Sequence, residues 1–428
     1  MITTFLQIST YFLAFYILIL SISKPEKATL LFLSTVVTRL NNFQNAPRIL
    51  SPLTLDLIIL IILVYQFLPY IKLGKYIKKS KIFLIWVLSH VLIRITQFIV
   101  YPDMSFTQVT SDIIGFYPKL FLIYLLVIGF CNRTNNFFLI NKALMYNLIL
   151  FCTFIYIEYF FKINYQELYG TIFSSGLLIS DSIAERGSFR LLGGPLNYWV
   201  SSSTFLVSCF SIIAFYNIYK KGLKRLFILL LFIFTIFIIG ARSAMVAVGV
   251  TTILYMYFDF NKKYKTLSLL ALCATLLLFV LSPYSNFLFN SFNISSTEGL
   301  NFYRRVFVQI MMFNNIVDVP FIGYGFMGRL NTDLFQFQDL MEVNVLFTEI
   351  YDYGLLGAFF TLLFFIKVLF NTISIKVTLK NIPSYGWIGL FICFISNGIQ
   401  EYIYFLVPVI FYSYAIWLKN NKMDFFPK

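Results

Sequence analysis

Arginines and carboxylates concentrate in two polar segments of an otherwise apolar chain, residues 162–195 and 283–351. The arginines of these segments are Arg186, Arg190, Arg304, Arg305 and Arg329. A guanidinium group is planar and always charged, so it can bind a phosphate through two parallel hydrogen bonds, whereas a lysine ammonium acts as a point charge. The pattern therefore predicts that these segments hold an anionic group of the phosphate class.

Two short motifs place further donors beside apolar runs. The sequence RLLGGPLN at 190–197 joins a Gly-Gly-Pro turn to the side chains of Arg190 and Asn197. In GARSA at 240–244, the loop is so short that Arg242 must lie near the hydrocarbon boundary, where an ionisable group is costly and marks a functional site. The structural alternatives are an ordinary loop with an interfacial arginine and a side chain that reaches the lipid headgroups.

The larger polar segment begins with the pair Arg304-Arg305. The apolar residues around this pair are Phe302, Val306, Ile310 and Phe313. Their helical spacing predicts an amphipathic helix on the membrane surface that ends near residues 314–315. The GYG that follows at 323–325 lacks the strand–turn–helix context of a dinucleotide site.

The same segment ends in a group of carboxylates. Within a helix, Glu342, Glu349 and Asp352 would share one face. That face offers a carboxylate base or ligands for sugar hydroxyls; the alternative is a solvated acidic face that precedes the next apolar run. Asn344 lies between the carboxylates, and Gly354 and Gly357 follow them.

Composition defines the elements that position these residues. The chain has 428 residues, of which 59% are hydrophobic and 12% are charged, against about a quarter charged in soluble domains. Because apolar runs of about 20 residues recur throughout, we predict an all-α polytopic membrane protein with about 12 transmembrane helices in one domain, residues 1–428. Lysine-rich loops fall on one side of this arrangement, which puts both termini in the cytoplasm and makes 162–195 and 283–351 outer-face loops. Residues 28–40 are interpreted as a re-entrant or interfacial piece; if they cross, the count is about 13 and the N-terminus is outside.

Several function classes are disfavoured. The net charge of +15 comes from basic residues scattered over short loops, so no nucleic acid partner is expected. With a single histidine, His90, and no CxxC pair among five cysteines, neither a metal site nor another cofactor is expected. Four ionisable residues inside apolar runs are expected to be paired or near a span end, with a proton relay as the alternative; they are Asp56, Arg94, Glu158 and Glu401.

Taken together, the motifs resemble the O-antigen ligase and polymerase superfamily of bacterial envelope enzymes. The resemblance covers roughly residues 185–360 and rests on the order R-x-x-G-x-x-x-N, A-R-S-A, an Arg-led amphipathic helix, P-x-x-G-x-G at 320–325 and N-x(9)-G-x-x-G at 344–357. It implies glycosyl transfer from a polyprenyl-diphosphate-linked oligosaccharide at the outer (periplasmic) face of the bacterial cytoplasmic membrane. Ligases of this superfamily carry His-Asn where this chain has Val343-Asn344, so the resemblance favours a polymerase of polysaccharide repeat units over a ligase.

The predicted roles follow from the motifs and the resemblance. Glu342 and Asp352 are the candidate catalytic carboxylates. The diphosphate ligands are predicted to be Arg190, Arg242, Arg304 and Arg305, and the sugar ligands Asn197, Arg329 and Asn344. The expected partners are polyprenyl (undecaprenyl) diphosphate-linked oligosaccharides, the lipid bilayer and a chain-length regulator protein. The alternatives are an O-antigen ligase and a flippase or other transporter of lipid-linked oligosaccharides, although a transporter is expected to show internal repeats and polar residues at the bilayer midplane.

Overall fold

Long helices dominate the fold, as expected for apolar segments that must satisfy their backbone hydrogen bonds internally. The computed structural model describes residues 2–36, 55–101, 113, 116–162, 183–186, 189–196, 199–219, 223–259, 293, 295, 297–325, 344–370, 383–396 and 402–421. The helices of the first part are α1 (Ile2–Ser23), α2 (Pro25–Thr35), α3 (Leu55–Phe67), α4 (Leu73–Lys79), α5 (Lys81–Val100), α6 (Tyr117–Thr134) and α7 (Phe137–Phe161). Those of the second part are α8 (Trp199–Ser208), α9 (Phe210–Tyr219), α10 (Leu223–Ile239), α11 (Arg242–Asp259), α12 (Thr297–Asn314), α13 (Val345–Phe370), α14 (Pro383–Ser396) and α15 (Tyr402–Asn421).

A small β-hairpin lies inside the first predicted outer-face loop. Strand β1 (Ile183–Arg186) pairs antiparallel with β2 (Phe189–Leu192), and Glu185 stands opposite Arg190. The hairpin packs against α7 and α10. The predicted helical fold class is confirmed, and this hairpin is an addition to it that the sequence analysis did not predict.

Three helices in the described part of the chain are long and apolar enough to cross a membrane: Lys81–Val100, Phe137–Phe161 and Val345–Val368. A fourth candidate is the pair Leu55–Tyr70 and Leu73–Lys79, whose axes meet at 105° after Pro69, a residue with no backbone N–H to donate. These helices support a multi-pass membrane protein without establishing the predicted count of about 12 spans. The apolar run 266–282, one of the stretches counted toward that prediction, lies outside the described residues.

Helix α2 covers the first part of the ambiguous 28–40 piece. It has 11 residues and is therefore about 16 Å long, roughly half the thickness of the hydrocarbon core. It packs against α7 and α1, with Ala28, Phe32 and Leu33 buried. Because the residues after Val36 lie outside the described range, whether the whole piece crosses stays open.

The core is an aromatic-rich helix bundle. Helix α15 packs on α6, α14 on α11, and α13 on both α5 and α14. At the α5–α13 contact, the rings of Trp86 and Phe364 stack with centroids 4.5 Å apart and planes 3° from parallel. Such pairs add about 0.5–1.5 kcal/mol beyond their buried area, so α5 is fixed firmly beside α13.

Helix α13 is bent at Gly354, which has a non-helical backbone with φ of 74° and ψ of −178°. The helix begins at Val345, whereas the sequence analysis began this span near residue 352. The bend divides α13 into a short first arm, Val345 to Tyr353, and a longer second arm. A β-carbon at Gly354 would lie 2.1 Å from the carbonyl oxygen of Phe321, so only glycine fits.

Substitution of this glycine tests the bend. Gly354→Ala should lower the thermal midpoint of the purified protein in detergent, because an L-residue at this φ and ψ is strained by about 1–3 kcal/mol and the added methyl overlaps Phe321. The matched control is Gly249→Ala in α11, where an added β-carbon meets nothing within 4 Å and helix propensity favours alanine by about 0.5–1 kcal/mol. Equal midpoints for the two variants would contradict the bend.

Candidate functional site

The first arm of α13 starts at a predicted site residue. Asn344 is the N-cap: its Oδ1 accepts hydrogen bonds from the backbone N–H groups of Leu346 at 2.7 Å and Phe347 at 3.3 Å. Asparagine at this position satisfies donors that have no partner within the helix. Asn344 therefore sets where α13 begins, in addition to its predicted contact with sugar.

The 320–325 turn packs directly against the bend in α13. A β-carbon on Gly323, whose φ is 74°, would lie 2.5 Å from the backbone nitrogen of Gly354. The N–H of Tyr324 donates to the carbonyl of Tyr351 at 2.8 Å, and the N–H of Leu356 donates to the carbonyl of Phe321 at 3.4 Å. Two motifs of the sequence analysis thus meet backbone to backbone, and each needs glycine at the contact.

Helix α5 supplies the remaining partners of this contact. The carbonyl of Asp352 accepts hydrogen bonds from Gln97 Nε2 at 2.8 Å and from Arg94 Nη1 at 3.2 Å. Gln97 Nε2 also donates to the carbonyl of Ile322, and the hydroxyl of Tyr101 donates to the carbonyl of Gly323 at 2.7 Å. Side chains of α5 and Tyr101 therefore satisfy the carbonyls of Asp352 at the bend and of Ile322 and Gly323 in the turn, as buried polar groups require.

Asp352, a predicted catalytic carboxylate, lies at this junction. It is 8% exposed, and Glu349 is 1% exposed. The alternative of a solvated acidic face is therefore wrong for these two residues. The guanidinium of Arg94 lies 4.0 Å from the ring centroid of Tyr353, so a buried cation borders the residue next to Asp352.

The single histidine is part of a closed hydrogen-bonded circuit. His90 Nδ1 lies 2.7 Å from the carbonyl of Trp86, and a carbonyl can only accept, so this nitrogen carries a proton. His90 Nε2 lies 2.8 Å from Glu349 Oε2. Thr361 Oγ1 lies 3.2 Å from both atoms and accepts from Trp86 Nε1 at 3.0 Å. A hydrogen bond therefore joins the imidazole to the Glu349 carboxyl group, and Thr361 and Trp86 extend it.

The bend at Gly354 makes this circuit possible. Glu349 and Thr361 are 12 residues apart, which in a straight helix is a rise of about 18 Å. Their side-chain oxygens are nevertheless 3.2 Å apart. The first arm is therefore folded back so that Glu349 points into the bundle. Gly357 leaves room for Tyr353, because a β-carbon at Gly357 would lie 2.3 Å from Tyr353 Cβ.

The two tyrosines beside the turn remain neutral donors. Burial raises the pKa of the Tyr101 phenol, and the neighbouring Tyr324 raises it further. Burial, followed by Asp318, raises the pKa of Tyr324, whose hydroxyl donates to the Asp318 carbonyl at 2.9 Å. Since the pKa of a phenol is about 10 in water, both hydroxyls keep their protons at neutral pH. They can therefore donate hydrogen bonds to the carbonyls of Gly323 and Asp318.

Helix α12 approaches the same junction. It ends at Asn314, as predicted, and its buried Met312 accepts a hydrogen bond at its carbonyl from the hydroxyl of Tyr351 at 3.0 Å. The exposed apolar side chains of this helix are Tyr303, Val306, Phe307, Ile310 and Phe313. The predicted amphipathic helix is therefore present, and its position on the membrane surface stays a prediction.

The four predicted diphosphate ligands stand on three different elements. Arg190 lies in β2, Arg242 is the first residue of α11, and Arg304 and Arg305 lie within α12. The described contacts bring α12 to α13, and the hairpin to α7 and α10. Convergence of the four arginines on one diphosphate stays a prediction. Glu342, Asn197 and Arg329 lie outside the described residues.

The ionisable residues flagged inside apolar runs are paired where the structure describes them. Lys119 Nζ lies 2.8 Å from Asp56 Oδ2. Glu158 Oε2 accepts a hydrogen bond at 2.8 Å from the N–H of Gly194, in the turn of the predicted 190–197 motif. Glu401 lies outside the described residues. The described cysteines are buried, as expected for apolar-like thiols.

Sequence reasoning missed the roles of Gln97 and Tyr101 and the partner of His90. A signal was present: His90, Arg94, Gln97 and Tyr101 are spaced by four, three and four residues in an otherwise apolar run. That spacing places them on one helix face. Four polar side chains on one face of a span indicate a buried polar partner, which here is the bent helix with its turn.

Fold and site together define a multi-pass helical membrane protein with a buried polar junction between a bent helix and a glycine turn. Residues 226–362 match the family model described as O-Antigen ligase. The matched range contains Arg242, α12, the 320–325 turn and most of α13. A search of curated proteins found no match. The family match supports the O-antigen ligase/polymerase superfamily, whose members are enzymes that transfer glycans from lipid-linked oligosaccharides.

Two substitutions at Glu349 test the buried circuit. Glu349→Leu leaves His90 Nε2 without its 2.8 Å partner and should reduce the free energy of unfolding by about 1–3 kcal/mol. Glu349→Gln keeps a donor for Nε2 and should retain most of that stability. Thermal unfolding in detergent measures both. A glutamine variant no more stable than the leucine variant would show that the circuit does not contribute in this way.

Proposed function

We propose that this protein polymerises polyprenyl-diphosphate-linked oligosaccharide repeat units into a surface polysaccharide, such as O-antigen or capsule, at the outer face of the cytoplasmic membrane. The donor is a growing glycan on polyprenyl diphosphate, and the acceptor is one repeat unit on the same kind of lipid. The acceptor hydroxyl oxygen bonds to the anomeric carbon of the donor as the bond from that carbon to the diphosphate breaks. Polyprenyl diphosphate leaves, and the hydroxyl proton passes to a base.

One observation carries the choice of polymerase over ligase. The ligase motif has His-Asn where this chain has Val343-Asn344, and the only other source of an imidazole is His90. That side chain is 0% exposed and bonded to Glu349 and Trp86, so it does not face an acceptor. A carboxylate is left as the base, which supports the branch of the superfamily in which the histidine is absent.

Asp352 is the carboxylate favoured for this role, with Glu342 as the other candidate. Its backbone is fixed by Arg94 and Gln97, and it lies next to Gly354, where the chain turns against the 320–325 motif. A base held at one position can take the proton as the new bond forms, which contributes typically ~10²–10⁴-fold to the rate. Asn344, the N-cap of the first arm of α13, is the proposed sugar ligand.

The arginines supply the other half of the chemistry. As the sugar leaves, negative charge grows on the diphosphate, and fixed cations near low-dielectric lipid stabilise that charge strongly. Arg242 begins α11, so the positive end of the helix dipole adds to its charge. Arg304 and Arg305 lie on α12, which contacts α13. Because diphosphate is already a good leaving group, the reaction needs no nucleotide.

The assay uses purified protein, synthetic polyprenyl-diphosphate repeat unit as the only substrate, and EDTA. Wild type should produce a glycan ladder on a gel. Arg242→Ala and Arg304→Ala should each lower the rate about 100-fold, the usual cost of losing one group that stabilises transition-state charge. The matched control is Arg133→Ala, which removes a surface ion pair with Glu26 and should leave the ladder unchanged.

Two other outcomes identify the alternatives. Transfer only after a lipid A core acceptor is added would make the protein a ligase. No transfer to either acceptor, combined with movement of the lipid-linked oligosaccharide across proteoliposomes, would make it a flippase.

A second measurement compares the two candidate bases in the same assay. Asp352→Asn should lower turnover by ~10²–10⁴-fold, with a smaller effect from Glu342→Gln. Asp352→Asn keeps the backbone carbonyl that Arg94 and Gln97 bind, so the variant should fold and elute as wild type does on size-exclusion chromatography. Its loss of turnover should therefore come from the missing carboxylate. Full activity in Asp352→Asn would exclude this residue as the base.

A further inference from the structure

The polar face of α5 lies outside the residues that match the family model, yet its described hydrogen bonds run to α13, to the 320–325 turn or within its own helix. The His90 ring also stacks on Tyr117 of α6. The face consists of His90, Arg94, Gln97 and Tyr101, and we name it the α5 polar face. Arg94 is 2% exposed and Gln97 is 0% exposed. Burying these groups in a span is costly unless they are hydrogen-bonded. Their hydrogen-bond partners therefore indicate the role of the α5 polar face.

Gln97 is the centre of this face. Its Oε1 accepts a hydrogen bond from Arg94 Nη1 at 2.7 Å, which fixes the orientation of the amide because guanidinium can only donate. Its Nε2 therefore points the other way and donates to two carbonyls on different segments, Ile322 in the turn and Asp352 in α13. One amide group thus ties the turn to the bent helix.

Besides the backbone bonds of Tyr324 N–H to Tyr351 and of Leu356 N–H to Phe321, the turn is held by side chains of the α5 polar face. Phe321 is 63% exposed and Ile322 is only partly buried, so apolar burial contributes little at its apex. Tyr101 adds a third bond, from its hydroxyl to the Gly323 carbonyl. Three consecutive positions of the turn, 321 to 323, are therefore bonded through their carbonyls to α13 or α5.

We propose that Gln97, supported by Arg94 and Tyr101, is a positioning residue for glycosyl transfer. It sets the distance between the 320–325 turn and the bend at Gly354, and through the Asp352 backbone it sets where the proposed base stands. This inference rests on the proposed function. It assigns no substrate contact to α5; the residues act by fixing backbone that carries the reacting groups.

The test uses full-length protein in proteoliposomes with polyprenyl-diphosphate repeat unit. Gln97→Met keeps the length of the side chain and removes both donors. It should lower kcat about 100-fold, since a displacement near 1 Å in a site costs that much, with KM changed by less than about threefold. Tyr101→Phe, which loses one bond, should lower kcat about tenfold. The control is Thr96→Val, an exposed neighbour on α5, which should match wild type.

A second readout does not depend on activity. The substitution Ile322→Cys provides a thiol whose rate of labelling by a water-soluble maleimide reports the position of the turn. The rate should rise at least about threefold when Gln97→Met is added, and stay constant with Thr96→Val, because the amide bond to the turn is what limits its movement. Unchanged labelling together with unchanged kcat would overturn the proposal.

The two readouts also separate this inference from the proposed function. If wild type makes no glycan product from the lipid-linked repeat unit, the polymerase proposal fails, and labelling alone then decides whether Gln97 holds the turn. If Gln97→Met raises KM and leaves kcat unchanged, the residue acts in substrate binding and the positioning role is wrong. If Gln97→Met does not fold, Tyr101→Phe supplies the same comparison.

Discussion

A bend inside an apolar helix bundle releases backbone groups that must find partners, and this constraint organises the structure. At Gly354 the helical pattern stops, so the carbonyls of Tyr351 and Asp352 bond outside the helix, to Tyr324 and to the side chains of Arg94 and Gln97. Unpaired, each such group would cost several kcal/mol in a membrane interior. The glycine turn and the polar face of α5 supply these partners.

The bend also explains why a buried glutamate and histidine are tolerated. Folding the first arm of α13 back brings Glu349 to His90, and Trp86 and Thr361 close the circuit. Breaking a buried pair by removing one partner is far more costly than never having it. The circuit therefore resists straightening of α13, and it keeps the His90 side chain buried.

Glycosyl transfer beside a membrane needs a fixed base and fixed cations, because both must act on charge that develops in one place. In this protein, the backbone of the proposed base is bound by Arg94 and Gln97, and α12, which carries two of the proposed cations, contacts α13. The hydrogen bonds that satisfy the bend are also the bonds that fix the backbone of Asp352, so the proposed chemistry would depend on the contacts that make the junction rigid.

The sequence by itself determined the helical membrane class and the end of α12 near residue 314, and it singled out the glycine motifs that contain residues 323, 325 and 354. Apolar length, helical spacing and glycine-rich motifs are local properties, so they can be recognised within one segment. The sequence also provided Asp352 and Asn344 as candidate site residues, whose roles stay predictions. Only the tertiary structure decided that Gly323 meets Gly354, that Gln97 bridges two segments, and that Glu349 pairs with His90 across 259 positions. Those contacts depend on how α5 and α13 pack side by side, and no spacing within one segment encodes the partner it meets in another.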